Sequence, residues 1–294
     1  MTINSLALLE KTLNREELLQ KAKEVGELAE KYADQTDFDR KLPDEVMEKV
    51  KEAGFHKLLR PKAYGGQDLD YYTFGDIIRT VANYNVSAAW LTYFAIIHET
   101  WPAFLDKQGR EELFGTGELM ADVFAPIGKV VNDGEGYRIS GTWNFCSGIP
   151  YCDWVALGAI HQLHDGTEPE FGLFIVHKKD FEIVENWDSL GLRGTGSNAV
   201  KLDNVYVPAN YVFPVTRVVN GATAPDGNYE PDYQIFNVPY LAFFLAGFSH
   251  VAIGGVERLI RNFKEKTEHR VRIFNNNTNE KNAGTAQRTL AELN

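Results

Sequence analysis

Gly141-Thr142-Trp143-Asn144-Phe145-Cys146-Ser147-Gly148, running on to Cys152-Asp153-Trp154, is one of two segments on which the reading of this chain turns. The other is Trp187-Asp188-Ser189-Leu190-Gly191-Leu192-Arg193-Gly194-Thr195-Gly196-Ser197, closing on Val205-Tyr206-Val207-Pro208. Both lie where short runs rich in Val, Ile, Phe and Tyr alternate with Gly and Asp turns. The runs are Val130-Val131, Tyr137-Arg138-Ile139, Trp154 to Leu157, Leu173 to Val176, Phe181 to Val184 and Val200 to Val207. Short β-branched and aromatic runs between turn residues are the pattern of strands. Asn132-Asp133-Gly134-Glu135-Gly136 is a turn signal of the hairpin kind. An all-β domain is therefore expected over residues 119–215.

Outward from this centre the texture is helical. Glu16 to Tyr32 spaces Leu18, Leu19, Ala22, Val25, Leu28 and Ala29 at helical intervals with charges between them. Leu42-Pro43 opens a second helix that Gly54 ends. Tyr71 to Ala82 and Ala88 to Leu105 follow as more apolar helices, with Ser87 as the expected N-cap of the latter. Beyond the strands, Asn220 to Asp232 reads as a loop. A long helix is expected from about Val238 to Glu268, then a break at Asn275 to Asn279, then a helix from Ala286 to Leu293. The expected class is α+β: an N-terminal helical domain over 1–118, a central β-barrel or sandwich, and the start of a C-terminal helical bundle over 216–294.

Composition narrows the function. The 294 residues are 44% hydrophobic and 24% charged, as in soluble globular proteins. A formal net charge of −11 argues against a nucleic-acid partner, since phosphate binding needs a basic surface. Cys146 and Cys152 are the two cysteines, without CxxC spacing or a partner cluster, so neither a disulfide framework nor zinc is indicated. No other metal-ligand spacing is present. Met1 to Ser5 carries no basic leader. The most apolar stretch, Tyr240 to Gly255, is shorter than the roughly 20 residues of a membrane span and reads as a buried core helix. The expectation is a cytoplasmic protein with no membrane partner.

Four places could carry chemistry. Ser147, flanked by aromatics, offers a hydroxyl to a flavin N5, and equally could be a turn serine bonding its own backbone. Trp90, Phe94 and His98 recur every fourth residue and share a helix face, where His98 is a candidate base or simply a core histidine. Arg193 lies in a Gly-rich stretch that follows no βαβ pattern, so turn chemistry fits it better than a phosphate loop. Arg270 and Arg272, after the long helix, could hold a phosphate or cap a solvated helix end.

Combined, these features resemble the acyl-CoA dehydrogenase superfamily. Leu42-Pro43, Glu52-Ala53-Gly54-Phe55, Pro61 and Tyr64-Gly65-Gly66 are similar to its opening helices and loop. Ser87-Ala88-Ala89-Trp90 with His98, and Trp143, Phe145, Ser147-Gly148 and Asp153-Trp154, resemble one branch of it. That branch is the reduced-flavin monooxygenases of the p-hydroxyphenylacetate hydroxylase and dibenzothiophene monooxygenase kind. The resemblance implies a flavin, FMN or FAD, used reduced and received by free transfer from a separate reductase. It implies oxygen and a small aromatic or heteroatom substrate as the other partners. It places Ser147 beside flavin N5 and His98 in the substrate pocket as catalytic residues. Phe145 would pack on the ring, Phe124 and Pro126 would line its edge, and Arg270 and Arg272 would hold a phosphate. Trp90, Phe94, Tyr240 and Phe243 would line the substrate pocket. The family continues with further helices that build a homotetramer, so a truncated bundle is expected here. An acyl-CoA dehydrogenase is the rival reading, but Tyr240 to Phe244 holds no carboxylate to act as its base. A non-catalytic remnant is the third.

Overall fold

A computed structural model describes residues 14–67, 69–163, 168–227, 229–272 and 278–293, with the side chains of Arg272, Thr278 and Leu293 outside that description. The chain begins with α1 (Arg15–Lys31), where Asn14 and Glu17 form a reciprocal capping box. Leu18, Ala22, Val25 and Ala29 are its buried stripe. Short α2 (Ala33–Asp39) follows, then α3 (Asp44–Glu52), which starts behind Pro43 and ends as Gly54 turns left-handed at φ 79°. Helix α4 (Tyr71–Ala82) is capped by Asp70.

Helix α5 (Val86–Ile97) departs from expectation at both ends. Its cap is Asn85, in extended backbone, whose side chain accepts the Ala88 N–H at 3.0 Å. Ser87 lies inside the first turn and is buried. The helix was expected to reach Leu105 but tightens into a 3-10 stretch over His98–Phe104, which contains Pro102. Proline cannot supply the N–H that a continuing α-helix needs. Helix α6 (Lys107–Thr116) leads into the strands.

Strands β1 (Met120–Asp133), β2 (Gly136–Trp143), β3 (Trp154–His161), β4 (Glu170–His177), β5 (Glu182–Val184), β6 (Ala199–Pro208) and β7 (Val212–Phe213) form one sheet. Its order is β5-β6-β2-β1-β3-β4-β7, and β1–β3 is the parallel pair. The sheet does not close into a barrel. The long β1 instead serves two halves: Met120 to Val123 pair with β3, and Lys129 to Asp133 pair with β2. The register shifts between Val123 and Gly128, which bends the strand. The Trp143 indole donates to the Gly158 carbonyl at 2.9 Å and ties β2 to β3. The predicted turn is the β1–β2 hairpin, with Gly134 at φ 61°.

After α7 (Val215–Val219) comes α8 (Tyr240–His269), then β8 (Val271–Arg272), β9 (Thr278–Asn279) and α9 (Gly284–Leu293). Of the predicted break at Asn275 to Asn279, residues 275–277 lie outside the described residues and the last two form β9. By length and composition alone α8 could cross a membrane. It was expected to be a buried core helix, and that holds on one stripe only. Tyr240, Phe244, Gly247, Val251 and Gly254 are buried, whereas Leu241, Leu245, Ile253, Val256 and Leu259 are exposed. The buried stripe packs on α4 and α5 through its glycines. A Cβ at Gly247 would collide with the Tyr93 ring, and one at Gly254 would meet the Arg79 backbone and Ala82. The Tyr93 hydroxyl donates to the Phe244 carbonyl.

Candidate active site

The two segments that open the sequence reading meet edge to edge. Cys146 N–H donates to the Asn198 carbonyl at 3.1 Å and Gly148 N–H to the Thr195 carbonyl at 2.9 Å. The Asn198 side chain accepts from the backbone of both Asn186 and Trp187, at 3.0 Å each. The Trp187 indole donates back to the Arg193 carbonyl at 3.0 Å. Arg193 staples this loop to α2, donating to the Asp37 carbonyl at 2.9 Å and to Asp188 at 3.0 Å. It is a turn residue with its charge engaged, not a phosphate loop.

Against these loops α5, β1 and the first turns of α8 enclose a cavity of ≈ 390 Å³. That volume falls within the range of small-molecule pockets, and the lining is mostly aromatic and aliphatic, as such pockets are. Trp90 and Phe94 come from α5; Asp122, Val123 and Phe124 from β1; Phe145 and Ser147 from the first loop. Trp187, Leu192, Thr195 and Ser197 come from the second loop, and Leu241, Phe244, Leu245 and Phe248 from α8. Phe145 holds φ 66°, a left-handed backbone that a bulky residue seldom adopts. That backbone projects its ring at the cavity rim, 72% exposed and perpendicular to Trp187.

The polar features are two. The Trp90 indole donates to Ser147 Oγ at 3.0 Å, Ser147 Oγ lies 2.9 Å from Ser197 Oγ, and Ser197 Oγ lies 2.5 Å from Thr195 Oγ1. Thr195 Oγ1 donates to the Leu192 carbonyl at 2.8 Å. The second is Asp122, the one ionisable side chain in the described lining, whose Oδ2 lies 3.2 Å from His98 Nε2. The other imidazole nitrogen, Nδ1, stands 2.6 Å from the Met120 carbonyl and so carries a proton. Burial alone would strip charge from this imidazole. The Asp122 carboxylate, the Met120 carbonyl and Glu99 outweigh that, and the His98 pKa is raised. Burial lifts the Glu99 carboxyl to about 7 even against the Arg60 guanidinium, whose Nε donates to it at 2.9 Å. Burial also pushes the Cys146 thiol well up, so it stays neutral behind the loop.

Residues 14–113 match the acyl-CoA dehydrogenase N-terminal domain family. The chain is 30% identical over 259 residues to the oxygenase component of p-hydroxyphenylacetate 3-hydroxylase from Acinetobacter baumannii, covering 87% of this chain and 61% of that protein. The HsaA monooxygenase from M. tuberculosis superposes with a TM-score of 0.84 at 26% identity, over 95% of this chain and 71% of that one. The chain belongs to the acyl-CoA dehydrogenase-like superfamily.

Another superfamily structure, XiaF from Streptomyces sp. in complex with FADH2 and glycerol, superposes with a TM-score of 0.82 at 25% identity, over 95% of this chain and 71% of that one. The chain spans about three fifths of the curated superfamily relatives it matches, 61% and 60% of the first two. Within this superfamily frame the residues predicted from sequence sort into three groups. Ser147, Phe145, Phe124, Trp90 and Phe94 share the cavity. His98 reaches it only through Asp122: the ring is 2% exposed and stacks on Phe94 at 4.8 Å, behind the lining. Pro126 is exposed in the bent part of β1 and is not part of the lining.

The remaining four lie elsewhere. Tyr240 is buried against Phe104 and Phe213, with its hydroxyl 3.1 Å from Thr100 Oγ1. Phe243 stacks on Phe74 of α4, 5.8 Å between ring centres. Both therefore belong to the core. Arg270 caps the far end of α8, about 33 Å along the axis from Phe248 at 1.5 Å per residue. Its Nε lies 3.7 Å from Glu280, and its side chain is largely exposed. Arg272 is in β8, with its side chain outside the described residues. Within this chain neither arginine backbone adjoins the cavity. Sequence reading missed Asp122, Thr195, Ser197, Trp187, Phe248, Leu241 and Leu245 as lining. Asp122 did carry a signal, an acid inside the apolar run Met120-Ala121-Asp122-Val123-Phe124.

Proposed function

We propose that this chain is the oxygenase component of a two-component flavin monooxygenase, using reduced flavin and oxygen to hydroxylate a small aromatic substrate. The observation that carries this is the cavity itself: an apolar, aromatic-walled chamber with one hydroxyl cluster and one carboxylate–imidazole pair. The residues fit a flavin ring. Ser147 faces the cavity with a lone pair to spare, and the exposed Phe145 ring, with Phe124 and Trp187, supplies flat apolar cover. Bound reduced flavin would supply the electrons and the ring on which oxygen is activated.

This chain's residues do the rest. Ser147 orients the ring from its N5 side. Trp90, Phe94, Phe244 and Phe248 keep water out, which protects reactive oxygen chemistry from hydrolytic loss. Asp122, its Oδ2 held 3.2 Å from His98 Nε2 behind it, lines the cavity with a carboxylate that would accept the proton of a phenolic hydroxyl. One relative named above, p-hydroxyphenylacetate 3-hydroxylase, is a hydroxylase of an aromatic compound, which supports this substrate class. No carboxylate stands on the α8 wall, where a dehydrogenase would use one. The ring common to FMN and FAD is what the cavity suits. We also propose a separate reductase delivering free flavin, a homotetramer, and a cytoplasmic location in keeping with two free thiols.

The test is to titrate the anaerobic protein with dithionite-reduced FMN or FAD, then mix it with ¹⁸O₂ and a panel of phenols. One labelled oxygen atom in a hydroxylated product is the expected outcome. Bleaching of bound oxidised flavin by an acyl-CoA, without oxygen incorporation, would establish the dehydrogenase reading instead.

A further inference from the structure

The hydroxyl cluster has only one consistent arrangement of protons. An indole N–H can only donate, and a backbone carbonyl can only accept. The Trp90 end and the Leu192 end of the chain are therefore both fixed in direction. Thr195 spends its one proton on Leu192, so at the 2.5 Å contact Ser197 must donate to Thr195. Ser197 then has no proton left, so at 2.9 Å Ser147 must donate to Ser197. Ser147 in turn accepts from Trp90. Every proton in the row Trp90, Ser147, Ser197, Thr195 points the same way, along the row toward the Leu192 carbonyl.

The same accounting extends to the rest of the lining. Trp187 is the other N–H among its side chains, and it donates to the Leu192 and Arg193 carbonyls. Asp122 is a carboxylate. Among the described lining side chains, then, no donor is free, and those side chains offer a ligand lone pairs only. Ser147, Ser197 and Thr195 each keep one unused.

We propose that Ser197 and Thr195 are positioning residues that lock the Ser147 hydroxyl as an acceptor toward the cavity, so that the site favours reduced over oxidised flavin. The inference rests on the flavin reading above. The difference between the two redox states at N5 is a proton: reduced flavin presents an N5–H donor, oxidised flavin an N5 lone pair. A fixed acceptor matches the first and opposes the second. For Ser147 to serve oxidised flavin it must rotate its proton out of the row and leave Ser197 without a donor. Neither Ser197 nor Thr195 need touch the ring; they act through Ser147.

The experiment measures dissociation constants for oxidised FMN and, anaerobically, for dithionite-reduced FMN. It uses the full chain and its Ser197→Ala, Thr195→Val and Thr195→Ser variants. The wild type is expected to bind the reduced form at least tenfold more tightly, the worth of about one hydrogen bond. Ser197→Ala frees the Ser147 proton and should shrink that preference about tenfold, chiefly by tighter binding of the oxidised form. The bound-flavin midpoint potential should fall with it by about 30 mV, the two-electron equivalent of tenfold. Thr195→Val should shift the ratio the same way by less, because Ser197 can then turn and donate to Ser147. Thr195→Ser should preserve it. In the flavin-free protein, the Trp90 indole N–H resonance should move in Ser197→Ala and stay in Thr195→Ser. Binding of both forms with a ratio unmoved by Ser197→Ala, or by Thr195→Val if the first variant does not fold, overturns the inference and leaves the flavin reading standing. Binding of neither form by the wild type overturns both.

Discussion

On one side of the cavity, α5, β1 and the two loops present side chains whose N–H and O–H groups are all engaged. On the other, α8 presents Leu241, Phe244, Leu245 and Phe248, with no polar atom among them. The first wall is directional. It can tell a donor from an acceptor and one protonation state from another, because each of its polar atoms is fixed by a partner farther back. The second wall is shape and oil, suited to excluding water and to nothing more discriminating. The two should also fail differently: the polar wall by stranding a desolvated group, the α8 wall by small losses of contact.

The largest effect should come from Asp122→Ala, which strands His98 in the core. Removing one partner of a buried pair costs about 3–5 kcal/mol. The sign of its pH dependence follows from the raised His98 pKa. The pair's stabilisation is fully present below the ordinary imidazole value of 6.5 and is lost as pH rises through the raised folded value. Denaturant melts near pH 5.5 and pH 9 should therefore show the penalty shrinking at the alkaline end. An equal penalty at both would mean that the pair carries no charge, and the polar wall would lose half of its contrast with α8.

Next in size is Ser147→Ala, which leaves the Trp90 N–H and the Ser197 lone pair without their partner. A buried unsatisfied group costs about 1–3 kcal/mol, readable in thermal unfolding and in tryptophan fluorescence. A cost under about 0.5 kcal/mol would mean that water repairs the row, and that the wall is less fixed than its geometry. The pH profile of the wild type gives a third measure. Glu99, raised to about 7, adds to His98 in the same direction, so stability should decline from about pH 5 upward and flatten in Glu99→Gln. The smallest effect should be on the opposite wall. Leu245 is 47% exposed, so Leu245→Ser should change stability by no more than about 0.5 kcal/mol while reducing light scattering from self-association. A loss above about 1 kcal/mol would show that the outer stripe of α8 is covered by this chain after all.

How far the sequence spoke depends on the same division. Helix, strand and helix were legible from periodicity, and the 141–148 and 187–197 segments pointed at the site through their resemblance to the superfamily. Trp90 and Phe94 were legible because, with His98, they recur every fourth residue and so share one face of α5. The α8 wall was not. A helix apolar on nearly every side has no phase to read, so Phe243 looked as good as Phe244, one residue or about 100° around the helix, and Tyr240, on the face of Phe244 and Phe248, sits one turn short of the cavity. Asp122 was hidden because its partner, His98, comes from a different element, and strand alternation does not say which face a lone acid takes. Ser197 and Thr195 read as turn residues, which they also are. Their direction exists only once Trp90 and the Leu192 carbonyl stand at the two ends. The arginine pair misled because a cation after a long helix looks alike in sequence whether it is near the site or the full length of that helix away.

Gly247 and Gly254 have a consequence for the size of the chamber. Each lets α8 ride down onto a neighbour until Tyr93 on one side and the Arg79–Ala82 turn on the other press on bare backbone. Such notches admit one height. Sliding α8 by a single residue, about 1.5 Å, would bring a neighbouring side chain where a hydrogen now sits. The depth of the cavity is thus gauged by two residues outside its lining. A methyl group added at either would act as a spacer, lifting Phe244, Leu245 and Phe248 together and turning a chamber cut for a flat ring into one with a gap above it.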